Sequence, residues 1–267
     1  MANRIVQTKA KLLKNIEVAN NYYKILVSCP QVAKAAEPGQ FVNIKVSEGL
    51  QPLLRRPLGI HGVRGQTIEI LYESVGKGTE LLSKRRPGEY LDVVGPLGNG
   101  FGLSLTTRQL WPILVAGGMG VAPLTFLAEK LREIRNPKSE IRILIGAKTK
   151  SQILCVEEFR KLGCEVKIAT DDGSKGYKGK VTDLLKNLFF PAAGDRRPAT
   201  IYACGPRLML KEISRLSLQY KIAAQISLEE HMACGIGACL GCAVNTKDGY
   251  KRVCKEGPVF EAKEIIW

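Results

Sequence analysis

The chain has 267 residues and a mass of 29.3 kDa with 45% hydrophobic content, enough for two compact domains and a small appendage. Forty Lys and Arg against 25 Asp and Glu leave a net charge of +15, which favours anionic partners such as phosphate-bearing cofactors or an acidic protein surface. The basic residues form no run of five or six and are not interleaved with aromatics, which are only 6% of the chain, so the composition argues against nucleic-acid binding.

The opening MANRIVQTKAKLLKN holds no apolar stretch of signal-peptide length, and the expectation is a cytoplasmic chain. From Ile5 to about Val94 the pattern is one of short β-rich runs, YYKILVSC, FVNIKV, PLGIHGV, TIEILYESV and EYLDVVG, broken by the turn signals EPGQ and RPGE. That rhythm predicts a small antiparallel barrel or sandwich, with a single helix at KGTELLSK. Within it, LLRRPLGI (Leu53 to Ile60) ends a strand on an arginine that can pair with a pyrophosphate. Pro57 fixes the backbone there, and the small Gly59 lets a flat ring approach; the ordinary reading of such a short string is a surface basic pair. The neighbouring TIEILYESVGKGTELL adds Tyr72 and a glycine turn at a helix start, Gly76, Gly78 and Thr79, compatible with an anion. GPLGNGFGL (Gly95 to Leu103) is too glycine-rich for a regular element and marks a domain boundary.

After Trp111 the rhythm becomes strand, loop, helix. ILVAG precedes APLTFLAEKLREI, IRILIGA precedes VEEFRKL, EVKIAT leads through DDGSKGYKGK to VTDLLKNLF, and ATIYAC precedes RLMLKEISRLSLQ, with KIAAQIS as one more strand. This predicts a doubly wound parallel sheet with helices on both faces. The uncharged segment Trp111 to Ala128 has membrane-span length, but its two prolines and three glycines indicate strand, tight loop and helix start. AGGMGVAPL places Gly117, Gly118 and Gly120 between a strand and a helix, where a phosphate can approach the backbone. It lacks the GxGxxG fingerprint, so taken alone it is as readily a tight structural turn. YACGPRLML puts Cys204, Gly205 and Pro206 at the end of another strand of the same sheet, facing the same crevice. Cys204 has no base beside it in sequence and reads as a packed thiol near a ligand. Asp171 and Asp172 read as an acidic turn before Gly173. Lys148 and Lys150 stand where a 2′-phosphate would sit, which leaves NADP open beside NAD.

The remaining stretch, Leu228 to Trp267, carries four of the eight cysteines. Cys234, Cys239 and Cys242 stand in C-x4-C-x2-C spacing within HMACGIGACLGC, and Cys254 lies in RVCKEGPVF. Four clustered thiols with the other four scattered suggest a reduced, metal-binding chain and not a disulfide scaffold. The spacing among glycines points to a 2Fe-2S cluster; a four-thiolate zinc site is the alternative. With four thiols available, His231 reads as a loop residue near the site.

Taken together, RRPLGI, LYESVGKGT, GPLGNGF, AGGMGVAPL, YACGP and SLEEHMACGIGACLGC with RVCKEGPVF make the chain resemble the electron-transfer subunits of NAD-dependent dihydroorotate dehydrogenase B, within the ferredoxin-NADP reductase superfamily. The resemblance runs in order through nearly the whole chain. It implies an FAD-binding antiparallel β-barrel over residues 1–101, an NAD-binding α/β domain over 102–226 and a small 2Fe-2S domain over 227–267. It assigns FAD contacts to Arg56, Pro57, Leu58, Gly59, Leu71, Tyr72, Glu73, Gly78 and Thr79, and cluster ligands to Cys234, Cys239, Cys242 and Cys254. Gly59 stands where a serine is usual, and Glu73 where an arginine is frequent. The implied partner is an FMN-containing dihydroorotate dehydrogenase catalytic subunit, in a heterotetramer of two subunits of each kind. Electrons would pass from that FMN through the cluster and FAD to NAD+, with no residue of this chain acting on the pyrimidine. A flavin and cluster subunit of a ferredoxin-NADP transhydrogenase, sulfide dehydrogenase or cytoplasmic hydrogenase would use the same parts, and a zinc-stapled nucleotide-binding regulator would use fewer of them.

Overall fold

The computed structural model describes residues 5–103, 110–135, 140–189 and 198–267. Strands β1 (Val6–Ala19), β2 (Tyr22–Ser28), β3 (Phe41–Lys45), β4 (Arg56–Gly59), β5 (Gly62–Arg64), β6 (Thr67–Glu73) and β7 (Tyr90–Leu97) form the first sheet. They pair antiparallel in the order β4-β3-β7-β1-β2-β6-β5. Alternation along β6 sorts its side chains between the two faces of the sheet. Ile68, Ile70 and Tyr72 join Ile25, Val27 and Ile44 in the barrel core, while Leu71 turns outward with Tyr22 to pack on the second unit.

Three features differ from expectation. The 14-residue β1 carries so many charges that it does not read as a strand; only Ala10 and Leu12 along it are buried. A second short helix, α1 (Pro30–Ala35), accompanies α2 (Lys77–Ser83), and it plugs the core with Val32 and Ala33. PLGIHGV is two strands, because the chain changes partners in its middle. Ile60 N donates to Gln40 O at 3.0 Å, then His61 N donates to Glu69 O at 2.8 Å, so β4 stays with β3 while β5 joins β6.

The second sheet contains β8 (Trp111–Gly117), β9 (Arg142–Ala147), β10 (Glu165–Thr170), β11 (Tyr177–Lys178), β12 (Ala199–Cys204) and β13 (Ala223–Ser227), all parallel. Helices α3 (Val121–Ile134) and α4 (Val156–Lys161) cover one face. Leu124, Leu127 and Phe159 pack there on Leu114, Ile143 and Tyr202. On the other face α5 (Val181–Phe189) and α6 (Arg207–Tyr220) set Leu185, Leu210 and Ile213 against Ile113, Leu144 and Ile201. Every residue of β8 is buried, as a central strand covered on both sides must be. The charge-free segment from Trp111 resolves into β8, a tight turn over Gly118–Gly120 and the start of α3. Among the described residues no helix is long and apolar enough to cross a membrane.

The tail adds a small hairpin of β14 (Ala243–Thr246) and β15 (Gly249–Arg252), then returns as β16 (Val259–Glu261). β16 runs antiparallel to β13, setting Ile226 opposite Phe260, so the tail completes the second sheet in the order β11-β10-β9-β8-β12-β13-β16. Leu228 N donates to Pro258 O at 2.8 Å, and Asn99 N to Gly257 O at 2.6 Å. The side chain of Asn99 also donates to the carbonyls of Lys255 and Glu256 at 3.2 and 3.0 Å. GPLGNGF is thus the surface on which the tail is seated. Phe260 is 5% exposed and belongs to the core shared by tail and sheet, so Phe260→Ala should destabilise the chain by about 3–5 kcal/mol in urea unfolding. A loss under about 1 kcal/mol would mean that the tail is not part of that core.

Candidate functional site

In the barrel, Arg56, Pro57, Leu58 and Gly59 make up β4 and pair with Ile44, Asn43, Val42 and Phe41. All four are half-buried. Open space lies where a side chain on Gly59 would stand, so the strand offers an unobstructed approach at that end. At its other end the guanidinium of Arg56 lies over the first turn of α2. A Cβ on Gly78 would come within 2.0 Å of Arg56 Nε, which explains the glycine at that helix position. Two segments that the sequence singled out separately therefore meet. Thr79 Oγ1 accepts from Val75 N and Gly76 N at 3.0 and 3.2 Å and donates to Gly76 O at 3.0 Å, so its hydroxyl is spent on shaping the turn.

Leu71 and Tyr72 are both buried, and Tyr72 stacks on Tyr23 with ring centroids 5.7 Å apart. The Tyr72 hydroxyl is buried without a protein hydrogen-bond partner, and burial together with Tyr23 drives its pKa well above the usual phenol range. Glu73 is held across the sheet by Tyr22, its register partner, whose hydroxyl bonds to the carboxylate. Burial first and Glu73 second raise the Tyr22 pKa.

The second constellation lies where the strand order reverses. From β8 the chain moves outward through β9 and β10, then comes back to β12 on the opposite side of β8. The carboxyl ends of β8 and β12 flank the crevice that such a reversal creates, the usual ligand position in this type of sheet. Gly117, Gly118 and Gly120 follow β8 directly, while Cys204, Gly205 and Pro206 close β12. The two loops touch: a Cβ on Gly120 would fall 1.9 Å from Cys204 O, and one on Gly117 2.6 Å from Pro206 Cδ.

Cys204 is 2% exposed. Burial, and after it the charge of Glu229, raises its pKa far above the ordinary thiol range, so it is a neutral packed thiol and not a nucleophile. Glu229 was not singled out by sequence, although it lies two residues past the last parallel strand. Its side chain is reachable by solvent yet crowded by protein, and that desolvation raises its carboxyl pKa. Asp172 accepts from Ser174 N and Oγ at 2.9 and 2.6 Å, and Asp171 pairs with Lys180 at 2.8 Å, which makes both part of a closed acidic turn.

In the tail the four cysteines form two couples. Cys234 and Cys239 have their sulfurs 3.4 Å apart. Cys242 and Cys254 are linked by Cys254 N, which donates to Cys242 Sγ at 3.4 Å. Further backbone donors point at the sulfurs, Gly237 N to Cys254 Sγ at 3.1 Å and Cys239 N to Cys234 Sγ at 3.4 Å. Such donors stabilise thiolates. Burial pushes the Cys234 pKa up, but the N–H groups of Ile236, Cys239 and Ala238 more than offset it and bring the thiol down to about 6. Cys254 goes the other way, up to about 12, through burial and the neighbouring Cys242.

No three of the four sulfurs lie within 4.8 Å of one another. A tetrahedral zinc with bonds of about 2.3 Å would need all of them within about 3.8 Å. Two separated couples suit a site with two metal atoms better. The loop is pressed onto the barrel: Asn43 Nδ2 donates to Cys234 O at 3.4 Å, and a Cβ on Gly235, whose φ is +68°, would lie 1.9 Å from that nitrogen. His231 is exposed and is not grouped with the sulfurs.

An antiparallel half-barrel, a doubly wound sheet with a glycine-lined switch point and a paired-thiol tail define an electron-transfer oxidoreductase of the ferredoxin-NADP reductase fold. Residues 229–266 match the iron-sulfur cluster binding domain of dihydroorotate dehydrogenase B, and residues 114–215 match the oxidoreductase NAD-binding domain. The chain is 42% identical over 264 residues to the dihydroorotate dehydrogenase B (NAD(+)) electron transfer subunit of Desulforamulus reducens, covering 97% of each chain. It is 41% identical over 257 residues to that of Geobacillus thermodenitrificans, covering 93% of this chain and 94% of the relative. Among solved structures it superposes on an NADH-dependent reduced ferredoxin-NADP oxidoreductase with TM-score 0.84 and 30% identity, covering 97% of this chain and 90% of the other. A ferredoxin NADP+ reductase from Neisseria gonorrhoeae shares the fold at TM-score 0.64 and 18% identity, over 80% of this chain and 91% of that one.

The chain belongs to the electron transfer subunits of dihydroorotate dehydrogenase B (NAD(+)). It carries that family's iron-sulfur cluster binding domain and an NAD-binding domain. Because the Gly120 contact is backbone against backbone, Gly120→Ala should weaken NADH binding by about tenfold or more while leaving FAD bound. Titration of the purified protein with NADH measures this, and unchanged affinity would remove the Gly117 to Gly120 turn from the candidate dinucleotide site.

Proposed function

We propose that the tail cysteines hold a 2Fe-2S cluster and that this chain connects an FMN-containing dihydroorotate dehydrogenase catalytic subunit to NAD+ in pyrimidine biosynthesis. The observation that carries the reading is the arrangement of Cys234 with Cys239 and of Cys242 with Cys254, two thiol couples in a loop seated on the flavin-side strand β3. When bound, the cluster carries single electrons, and the flavin exchanges them for the two-electron hydride of nicotinamide. The chain's own residues bind and orient. Arg56 and the Gly76 to Thr79 turn suit the anionic part of FAD, Pro57, Leu58 and Gly59 suit the approach of its ring, and Leu71, Tyr72 and Glu73 are the contacts on the neighbouring strand, with Glu73 an acid near the phosphate. Gly117, Gly118 and Gly120 with Cys204, Gly205 and Pro206 suit the dinucleotide, and no group in the set need act as acid or base on the pyrimidine.

The cluster loop also suits the partner. Ile236 and Leu240 on it are 49% and 72% exposed, apolar side chains beside the thiol couples. In this reading they seat the catalytic subunit, two copies of each subunit form the assembly, and the eight free cysteines are at home in the reducing cytoplasm. A ferredoxin-linked complex is the second reading; it rests on 30% identity against 42% for the pyrimidine enzyme.

The test is copurification with the catalytic subunit, followed by measurement of FAD, FMN, iron and NAD-dependent orotate formation. The expected outcome is one FAD and two irons per chain, FMN only with the partner, and orotate formation with NAD+ only in the complex. A complex that forms orotate without this chain's iron would sink the proposal. Leu240→Asp should weaken subunit association by about tenfold or more with iron content unchanged, as read by analytical ultracentrifugation. Undiminished association would move the docking face elsewhere.

A further inference from the structure

We propose that the seam between the barrel and the second sheet is a binding site for a divalent transition-metal ion of the zinc class, with His61, Cys155 and Glu158 as ligands. The imidazole nitrogen, thiol sulfur and a carboxylate oxygen of these residues all lie within 4.8 Å of one another. That is the convergence the tail cysteines lack. The ligands come from both units: His61 from the corner between β4 and β5, Cys155 and Glu158 from the start of α4.

Each is aimed by its surroundings. His61 is 2% exposed, and its Nδ1 lies 3.0 Å from Ala122 O of α3. A carbonyl only accepts, so Nδ1 carries a proton there, and Nε2, the nitrogen left to face the carboxylate, lies 3.8 Å from Glu158 Oε1. A ring held in this way through its other nitrogen is the usual support of a metal-bound histidine. Cys155 caps α4 at φ +61°, a left-handed backbone uncommon for a residue with a side chain. Three residues on, Glu158 shares its helix face. Thiolate, imidazole and carboxylate together suit zinc or a neighbouring transition ion, whereas calcium and magnesium take oxygen.

Binding releases the Cys155 thiol proton to solvent, so the ion's two positive charges meet one thiolate and the Glu158 carboxylate, with the Lys24 ammonium left as a residual positive charge beside the site. Lys24 bonds Glu158 Oε1, the oxygen that also faces His61 Nε2, and gives the carboxylate a hydrogen-bonding support. Other charged or polar neighbours include the hydroxyl of Thr125 beside Cys155 and, farther out, Arg64, which is engaged by Glu129. Such an ion would pin the flavin-binding and nicotinamide-binding units at a fixed mutual orientation, independently of the cluster.

The experiment uses purified holoprotein with its flavin and iron complete. It is incubated with zinc, freed of excess and analysed for metal content, with affinity measured by competition against a chromogenic chelator. One retained zinc per chain is expected, with affinity reduced about a hundredfold or more in both Cys155→Ser and His61→Gln at unchanged FAD and iron content. X-ray absorption at the zinc edge provides a readout on the wild type alone, whatever the folding of the variants, and should show one sulfur and otherwise nitrogen and oxygen neighbours. No retained zinc, equal affinity in the folded variants, or an all-sulfur shell from the tail cysteines would overturn the assignment.

Discussion

The pairing of β16 with β13 is the constraint on which the rest of the structure depends. Without it, β13 would be an open edge, and the tail would be a 40-residue appendage too small to hold itself. With it, Phe260 enters the core of the second sheet, and the Gly257–Pro258 backbone is brought against Asn99 in the crossing between the two units. The cysteine loop then has one place to go, onto β3 of the barrel. One short antiparallel ladder thus fixes the tail to both preceding units.

Close approach onto a glycine, by side chain at two places and by backbone at the third, is the second theme, and it appears at the three candidate sites. Arg56 crosses α2 over Gly78, the β8 turn meets β12 at Gly120, and the cysteine loop meets β3 at Gly235. In each case a side chain would occupy the volume that brings the two segments together. These glycines do not sit in one motif; each belongs to a different pair of elements, which is why no single fingerprint describes the chain.

Much of this was legible in the sequence, and for physical reasons. The second sheet reads clearly because a central parallel strand buried on both faces must be continuously apolar, as ILVAG and ATIYAC are, and because its helices alternate with strands. The four thiols read clearly because their spacing among glycines has few other uses. The barrel was only partly legible. β1 buries two residues in fourteen and is held by its neighbours on both sides, so its stability lies in pairing that composition does not report. The return of β16 to β13 was invisible for a related reason: VFE is three residues long, and its partner is more than thirty residues earlier in the chain. Nor does sequence bring His61 to Cys155 and Glu158, which meet only because two units close against each other.

In the two candidate nucleotide constellations, the described side chains best placed to act as acid, base or nucleophile are already committed. Cys204 is held neutral by burial, the Thr79 hydroxyl is committed to its turn, and Glu73 is engaged by Tyr22. What the fold supplies in their place is proximity. Asn43 of β3 donates to the carbonyl of Cys234 and is the register partner of Pro57 in β4. A single strand therefore separates the cysteine loop from the segment proposed to meet the flavin, and paired strands lie only about 4.8 Å apart. For electron transfer that short, rigid spacing is the chemistry that a protein must provide, since the cofactors bring their own reactivity. The β3–β4 ladder and the β13–β16 ladder then act together: the first sets how near the two sites are, and the second keeps the cysteine loop from leaving.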